Sequence, residues 1–146
     1  MLQIRLVFVA LSMALLLASP VLASEASDVS VYTDEGTIEV LTSDEDGAAR
    51  ETTIWIVIVD GAAYIRTGGT SWGENVQRAS QVQVRLEGAT RAFEVVFVED
   101  DAVRTQITDA FREKYGFQDK VVSFLRGSSR PLIMRLTEAS ASVPAS

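Results

Sequence analysis

The residues best suited to hold a ligand lie in a glycine-rich stretch of polar residues. Gly68, Gly69 and Gly73 stand within six positions, and glycine lets successive backbone N–H groups turn towards one point, which suits an anion. The stretch has the spacing of neither a Walker loop nor a dinucleotide-binding fingerprint. Two interpretations therefore stay open: an anion-binding loop, or a connector whose Trp72 fills the core.

The composition excludes several catalytic classes. The 146 residues include no histidine and no cysteine, so Ser-His and Cys-His nucleophile pairs, imidazole bases and Cys/His zinc sites are ruled out. A net charge of −7 argues against nucleic-acid binding, which depends on clustered lysine and arginine. No catalytic residue is identified, and no metal site is predicted.

Two groups of acidic residues are candidate chemical sites. Asp44, Asp46 and Gly47 match part of a calcium loop, but the twelve-residue spacing and the closing glutamate are missing. A turn is the better interpretation. A hydrolase with paired carboxylates is disfavoured because Glu94 and Glu99 fall on opposite faces of one predicted strand.

Residues 1–23 have the features of a secretory signal peptide. Arg5 supplies the positive charge, Leu6 to Ala18 is almost continuously apolar, and the segment ends in a small-residue cleavage pattern at Ala23. The apolar run is too short to cross a membrane, which takes about 20 residues. We expect a periplasmic or secreted protein with no membrane contact after cleavage; an uncleaved anchor or a buried N-terminal helix is the alternative.

The rest of the chain divides into three parts: a flexible acidic leader over 24–35, a folded domain over 36–138 and a loose tail over 139–146. Alternating or two-sided apolar patterns predict strands in the domain. Thr52 to Val59 is apolar on both faces and is therefore expected to be a central strand, as is Arg91 to Val98. The six predicted strands cover residues 37–42, 52–59, 62–67, 81–86, 91–98 and 132–136.

One long helix and one short helix precede the last strand. Asp100 or Asp101 is expected to cap a helix that ends near Tyr115 and is closed by Gly116. A second helix is predicted over 119–125. Because strands that are apolar on both faces need cover on both sides, these elements predict a mainly β domain closed into an antiparallel barrel with a helix outside.

The stretch from Arg50 to Asn75 resembles the small split-barrel proteins related to pyridoxamine phosphate oxidase and to deazaflavin-dependent nitroreductases. The resemblance is strongest to their uncharacterised bacterial DUF2255-type branch and covers roughly residues 36–137. It implies a six-stranded antiparallel split β-barrel of the FMN-binding type that forms a homodimer. The matching residues are Trp55, Asp60, Gly61, Tyr64, Ile65, Arg66, Thr67, Trp72, Lys114, Tyr115 and Gly116.

The resemblance also implies a groove between subunits that binds FMN or a deazaflavin. Arg66 and its neighbours would match the phosphate loop, Arg50 and Thr53 the facing strand, and Trp55 the wall beside the ring. Relatives of the deazaflavin branch commonly carry a lysine where this chain has Trp72. The residues expected at the cofactor are Arg50, Thr53, Trp55, Tyr64, Arg66, Thr67, Ser71, Trp72 and Asn75.

Two functions follow from these expectations. The first is a flavin- or deazaflavin-dependent oxidoreductase of unknown substrate, in which the cofactor supplies the chemistry that a chain without histidine or cysteine lacks. The alternative is a non-catalytic periplasmic binding or structural module that has lost its cofactor. In that case both tryptophans would be core residues, and Arg66 would pair with an acid such as Glu74.

Overall fold

The computed structural model describes residues 28–127 and 130–139. The predicted signal peptide and most of the predicted tail therefore lie outside the described residues. A turn of 3-10 helix, Val29–Tyr32, comes before the first strand. The strands and helices are β1 (Ile38–Ser43), β2 (Ala49–Ile54), β3 (Val57–Val59), β4 (Ala62–Thr67), α1 (Ser71–Ala79), β5 (Gln81–Leu86), β6 (Ala89–Phe97), α2 (Asp101–Tyr115), α3 (Phe117–Arg126) and β7 (Leu132–Glu138).

The strands form one sheet in the order β2-β1-β5-β6-β7-β4-β3, and every pairing in it is antiparallel. Consecutive strands β2 and β3 lie at opposite ends of this order, although only Trp55 and Ile56 separate them. Three Cα–Cα steps span at most about 11 Å, whereas a flat sheet would hold its outer strands about 29 Å apart. The sheet must therefore curl until its two edges meet, as a split barrel requires.

This meeting of edges corrects the prediction of one central strand over 52–59. The chain leaves one edge of the sheet at Ile54 and joins the opposite edge at Val57. A continuous ladder cannot pass through that corner, so one predicted strand becomes two short edge strands. The barrel consequently has seven strands where the sequence predicted six.

The inside of the curl holds the larger core. It includes Val40 of β1, Val84 of β5, Phe93 of β6 and Ile65 of β4, all buried. Tyr32, which the sequence assigned to the flexible leader, is only 2% exposed and contacts Phe93 edge-on. The folded part therefore begins before residue 36, because this aromatic ring enters the barrel interior.

The outside of the curl carries a second core beneath α2. Val57, Tyr64 and Ile133 on the sheet pack against Ile107 and Phe111 of the helix. The helix has the predicted position: Asp100 accepts a hydrogen bond from the Val103 N–H at 2.9 Å, and Gly116 ends the helix with φ = 55°. The predicted second helix is also present, as α3.

Strand β6 differs from its prediction. Phe93 and Val95 face the interior, but Val96 on the outer face is 52% exposed. The helix α2 covers the outer face over β3, β4 and β7 and leaves this position bare. The expectation of cover on both sides of β6 is therefore wrong for the single chain.

Among the described residues, no helix combines the length and the apolar character needed to cross a membrane.

Candidate functional site

A cavity lies where the two sheet edges meet. It has a volume of about 620 Å³, within the range of about 300–1,000 Å³ typical of small-molecule sites. The end of β2, the end of β4 with its following loop, the start of α1 and one turn of α3 enclose it. Its lining is Thr53, Ile54, Trp55, Arg66, Thr67, Gly68, Gly69, Thr70, Trp72 and Val122.

Five of the nine residues expected at a cofactor line this cavity. They come from three separate segments of the chain, which only the closure of the sheet brings together. Their roles towards a ligand stay predictions. The five are Thr53, Trp55, Arg66, Thr67 and Trp72.

Trp55 is held in place by an aromatic stack. Its ring lies 4.4 Å from that of Tyr115, with 8° between the two planes. Stacking on Tyr115 occupies one face of the indole, and another part of its surface lines the cavity. A rigid aromatic surface of this kind suits a flat heterocycle. Trp72, by contrast, is 5% exposed and belongs to the interior core as well as to the lining.

The first part of the glycine-rich stretch connects β4 to α1, and its second part begins α1, with Trp72 in the core as the connector interpretation expected. Thr70 is the N-cap of α1, and its hydroxyl accepts a hydrogen bond from Gly73 N–H at 3.2 Å. The hydroxyls of Thr67 and Thr70 lie 2.6 Å apart. A Cβ at Gly73 would come within 2.6 Å of Thr67, so this glycine is needed for close packing. Gly68 and Gly69 line the cavity.

Arg66 lines the cavity but also forms a buried ion pair. Its guanidinium donates to the carboxylate of Asp119 on α3, and both side chains are less than 5% exposed. The guanidinium also lies 4.1 Å above the ring of Phe111. The alternative that Arg66 pairs with an acid is therefore confirmed, but the acid is Asp119 of α3 and not Glu74, the example that the sequence suggested.

Arg50 and Asn75 lie in a different cluster, outside the cavity lining. Arg50 binds both carboxylate oxygens of Asp44, at 2.7 and 2.8 Å. Asn75 donates to Asp44 at 2.8 Å and to Thr42 at 3.0 Å. The hydrogen bonds from Arg50, and then from Asn75, lower the pKa of the Asp44 carboxyl to about 2. These contacts tie the β1–β2 turn to α1.

The two remaining expected residues also lie apart from the lining. Tyr64 is buried in the second core beneath α2. Ser71 is the exposed first residue of α1, next to Thr70. The structure therefore brings Trp55, expected beside the ring, together with Arg66 and Thr67, expected at the phosphate. Ser71 and Asn75, which were expected at the same phosphate, do not line the cavity.

The corner between β2 and β3 is held by side chains of α2. The Tyr115 hydroxyl accepts from Ile56 N–H at 3.0 Å and lies 2.8 Å from Ile56 O. Lys114 donates to the same carbonyl at 3.0 Å. Burial lowers the pKa of Lys114 and raises that of Tyr115. Since Ile56 is outside the ladder, these side chains satisfy backbone groups that would otherwise lack partners.

Sequence reasoning missed Thr70, Val122 and Asp119. Thr70 had a detectable signal, because a threonine before apolar residues at four-residue spacing, Trp72 and Val76, is typical of a helix start. No sequence signal indicated that Val122 and Asp119 lie near the cavity. Asp119, for example, is 53 positions from its partner Arg66.

No group of three or more potential metal-ligating residues occurs within the part of the chain that the structure describes.

The fold is similar to several solved structures. HutZ, the heme storage protein from Vibrio cholerae, is 16% identical with a TM-score of 0.59, covering 73% of this chain and 84% of HutZ. An F420-H2 dependent reductase, FDR-A, is 14% identical with a TM-score of 0.55, covering 70% of this chain and 94% of the reductase. A structure described as a domain-swapped dimer is 14% identical with a TM-score of 0.56, covering 70% and 81%.

At these identities the similarities show the fold alone, and they confirm a split barrel. Among curated proteins, none matches the sequence. The model of one family, described as uncharacterized protein conserved in bacteria (DUF2255), matches residues 28–136. That match covers the barrel except for the last two residues of β7, and it includes both sheet edges and every residue that lines the cavity. The chain therefore belongs to the DUF2255 family.

Proposed function

We propose that this protein is an exported split barrel that binds a flavin-class cofactor, FMN or a deazaflavin, in the cavity between its sheet edges. The observation that carries the proposal is the cavity itself. It combines an aromatic side chain, Trp55, with the hydroxyl and main-chain groups of residues 67–70. A ligand with a flat ring and a hydroxylated chain has complementary groups at both positions.

The lining residues fit such a cofactor through their donor groups. Trp55 would contact the ring, and Thr53, Thr67 and Thr70 offer hydroxyls to the polar chain. Gly68 and Gly69 expose backbone that a terminal phosphate can approach closely. When bound, a flavin or deazaflavin supplies hydride- or electron-transfer chemistry. The protein's own contribution would be to bind and orient the ring and to exclude water from it.

A haem ligand fits this cavity less well. Haem iron takes an axial histidine, cysteine, methionine or tyrosine. The chain contains neither of the first two, and the described lining of the cavity includes neither of the others. The haem-related neighbour supports a fold that accommodates flat ligands, and the donor set of this cavity favours a flavin-class ring.

The two tryptophans give a direct test. They are the only tryptophans in the chain, and both line the cavity. Titration with riboflavin, FMN and F420 should quench the intrinsic fluorescence and raise the melting temperature. Trp55→Leu should weaken binding, whereas Val96→Ala, on the bare outer face, should leave it unchanged. Absence of quenching and of a thermal shift with all three ligands would leave the non-catalytic module as the function.

We propose further that the protein acts as a homodimer. The neighbour described as a domain-swapped dimer supports this. Light scattering coupled to size-exclusion chromatography tests it. A mass near twice that of one chain is expected, and a monomer at high concentration would contradict it.

A further inference from the structure

The arginine that lines the cavity is paired with a buried acid. Arg66 of β4 lines the cavity, and the carboxylate of Asp119 on α3 binds the same guanidinium from outside the lining. Val122, three positions further along α3, does line the cavity. One helix therefore supplies both a wall residue and an acid that neutralises the cavity's arginine.

The ion pair is closed off from water. The side chains of Arg66 and Asp119 are 4% and 3% exposed, and the guanidinium lies over the buried ring of Phe111. Charges in such a place interact strongly because little solvent screens them. A phosphate bound at the Arg66 end of the cavity would therefore be attracted by the guanidinium and repelled by the carboxylate paired with it.

The other groups at this end of the cavity are neutral. Thr67 and Thr70 contribute hydroxyls, and Gly68 and Gly69 contribute backbone. Neutral donors can bind the hydroxyls of a sugar-like chain as well as phosphate oxygens. A bare arginine would instead favour the phosphate, because charge-assisted hydrogen bonds are about twice as strong as neutral ones.

We infer that Asp119 is a specificity-determining residue. By neutralising Arg66, it removes most of the preference that the cavity would otherwise have for phosphorylated over unphosphorylated flavins. The native protein therefore selects its ligand by ring and polyol chain rather than by terminal charge. This inference rests on the proposed function and specifies which members of the flavin class the site accepts.

Riboflavin and FMN provide the test, since they differ only in the terminal phosphate. The dissociation constants of the two flavins for the full chain should agree within about threefold, given a neutralised arginine. In Asp119→Asn the guanidinium of Arg66 keeps its charge but no longer faces the carboxylate of Asp119, so FMN should be favoured over riboflavin by about tenfold or more. Equilibrium fluorescence titrations at one ionic strength measure both ratios.

A matched control separates local charge from net charge. Asp109→Asn, on α2, removes an equal charge from an exposed pair with Arg112, and its ratio should equal that of the native protein. The double variant Arg66→Met/Asp119→Leu removes both charges and should also show no preference for FMN. It retains an apolar pair in the same place should Asp119→Asn fail to fold.

Each outcome bears on the inference. A native protein that already prefers FMN by tenfold, or an Asp119→Asn variant whose ratio is unchanged, would overturn it while leaving flavin binding intact. A double variant that prefers FMN would also overturn it, because a preference without Arg66 comes from other groups. If neither flavin binds any variant, the inference fails, and the proposed function fails with it only if F420 does not bind either.

Discussion

The outer face of the barrel has two halves: a helix covers one, and the other faces solvent. Over β3, β4 and β7 the sheet is apolar and lies beneath α2, with Phe111 fully buried. Over β1, β2, β5 and β6 the outer face lies in solvent and includes Val96 of β6, which is 52% exposed. On the same half, Arg85 lies between Glu39 and Glu51, at 2.6 and 2.8 Å. A strand needs apolar residues on both faces only where a helix covers the outer one.

The two halves also differ in how much an ion pair contributes to the stability of the fold. Arg66 and Asp119 are buried beneath the helices, whereas Arg85 and its two glutamates are 30–58% exposed. A buried pair is costly to break because the remaining charge stays desolvated. An exposed pair contributes little because water and salt screen it. Substitutions in the two halves therefore test whether the helical cover exists in solution.

The largest effect is expected at the centre of the covered half. Phe111→Ala removes a fully buried ring from between α2 and the sheet, and we expect the free energy of unfolding to fall by about 3–5 kcal/mol. Urea denaturation followed by circular dichroism measures the change. Val96→Ala on the bare half should cost less than about 0.5 kcal/mol. A similar cost for both would mean that the bare half is covered in solution.

The next effect contrasts two arginines. Arg66→Met leaves Asp119 buried without its partner and should destabilise the fold by about 3–5 kcal/mol. Arg85→Met should cost about 0.2–1 kcal/mol, and this loss should shrink further in 1 M salt. Denaturation of both variants at low and high salt provides the comparison. Equal costs would show that Arg66 is solvated like Arg85.

A smaller effect is expected at the corner where the halves join. Tyr115→Phe removes the hydroxyl that binds the Ile56 backbone, and we expect a loss of about 1–3 kcal/mol in unfolding free energy. Tyr64→Phe is the matched control, because no hydrogen bond to the Tyr64 hydroxyl occurs among the described residues. Hydrogen exchange at Ile56 N–H should accelerate in the first variant only.

The smallest effect lies outside both cores, at Asp44. The hydrogen bonds from Arg50 and Asn75 lower its pKa from 3.8 to about 2. A depressed folded-state pKa stabilises the fold above the unfolded value, and this contribution disappears as pH falls from about 4 towards 2. Asp44→Asn should therefore flatten the dependence of melting temperature on pH in that window. An unchanged acid slope would contradict the Asp44 contacts.

Much of the fold was predictable from short stretches of sequence. Helix α2 was predicted from the Asp100 cap, the apolar stripe and Gly116, and these are interactions within one helix. Five predicted strands were confirmed with small shifts at their ends. The strand over 52–59 was wrong because an apolar run looks the same whether the chain continues straight or turns a corner at Trp55.

The candidate site was only partly predictable, because sequence patterns do not show which distant residues meet. Trp55 and Thr67 were found through a resemblance that runs along the sequence, and both line the cavity. Arg50 and Asn75 were placed at the ligand by the same resemblance, but hydrogen bonds to Asp44 hold them in a separate cluster. No local pattern distinguishes an arginine that lines a cavity from one that caps a turn.

The sequence by itself excluded the chemistries that need histidine or cysteine. It also determined the apolar periods of the strands and the start and end of α2. Each depends on residue identity or on neighbours within a few positions. Tertiary structure alone decided that β2 meets β3, that a cavity opens where they meet, and that Asp119 neutralises Arg66. These are contacts between distant segments, and they form because closing the sheet buries two apolar cores at once.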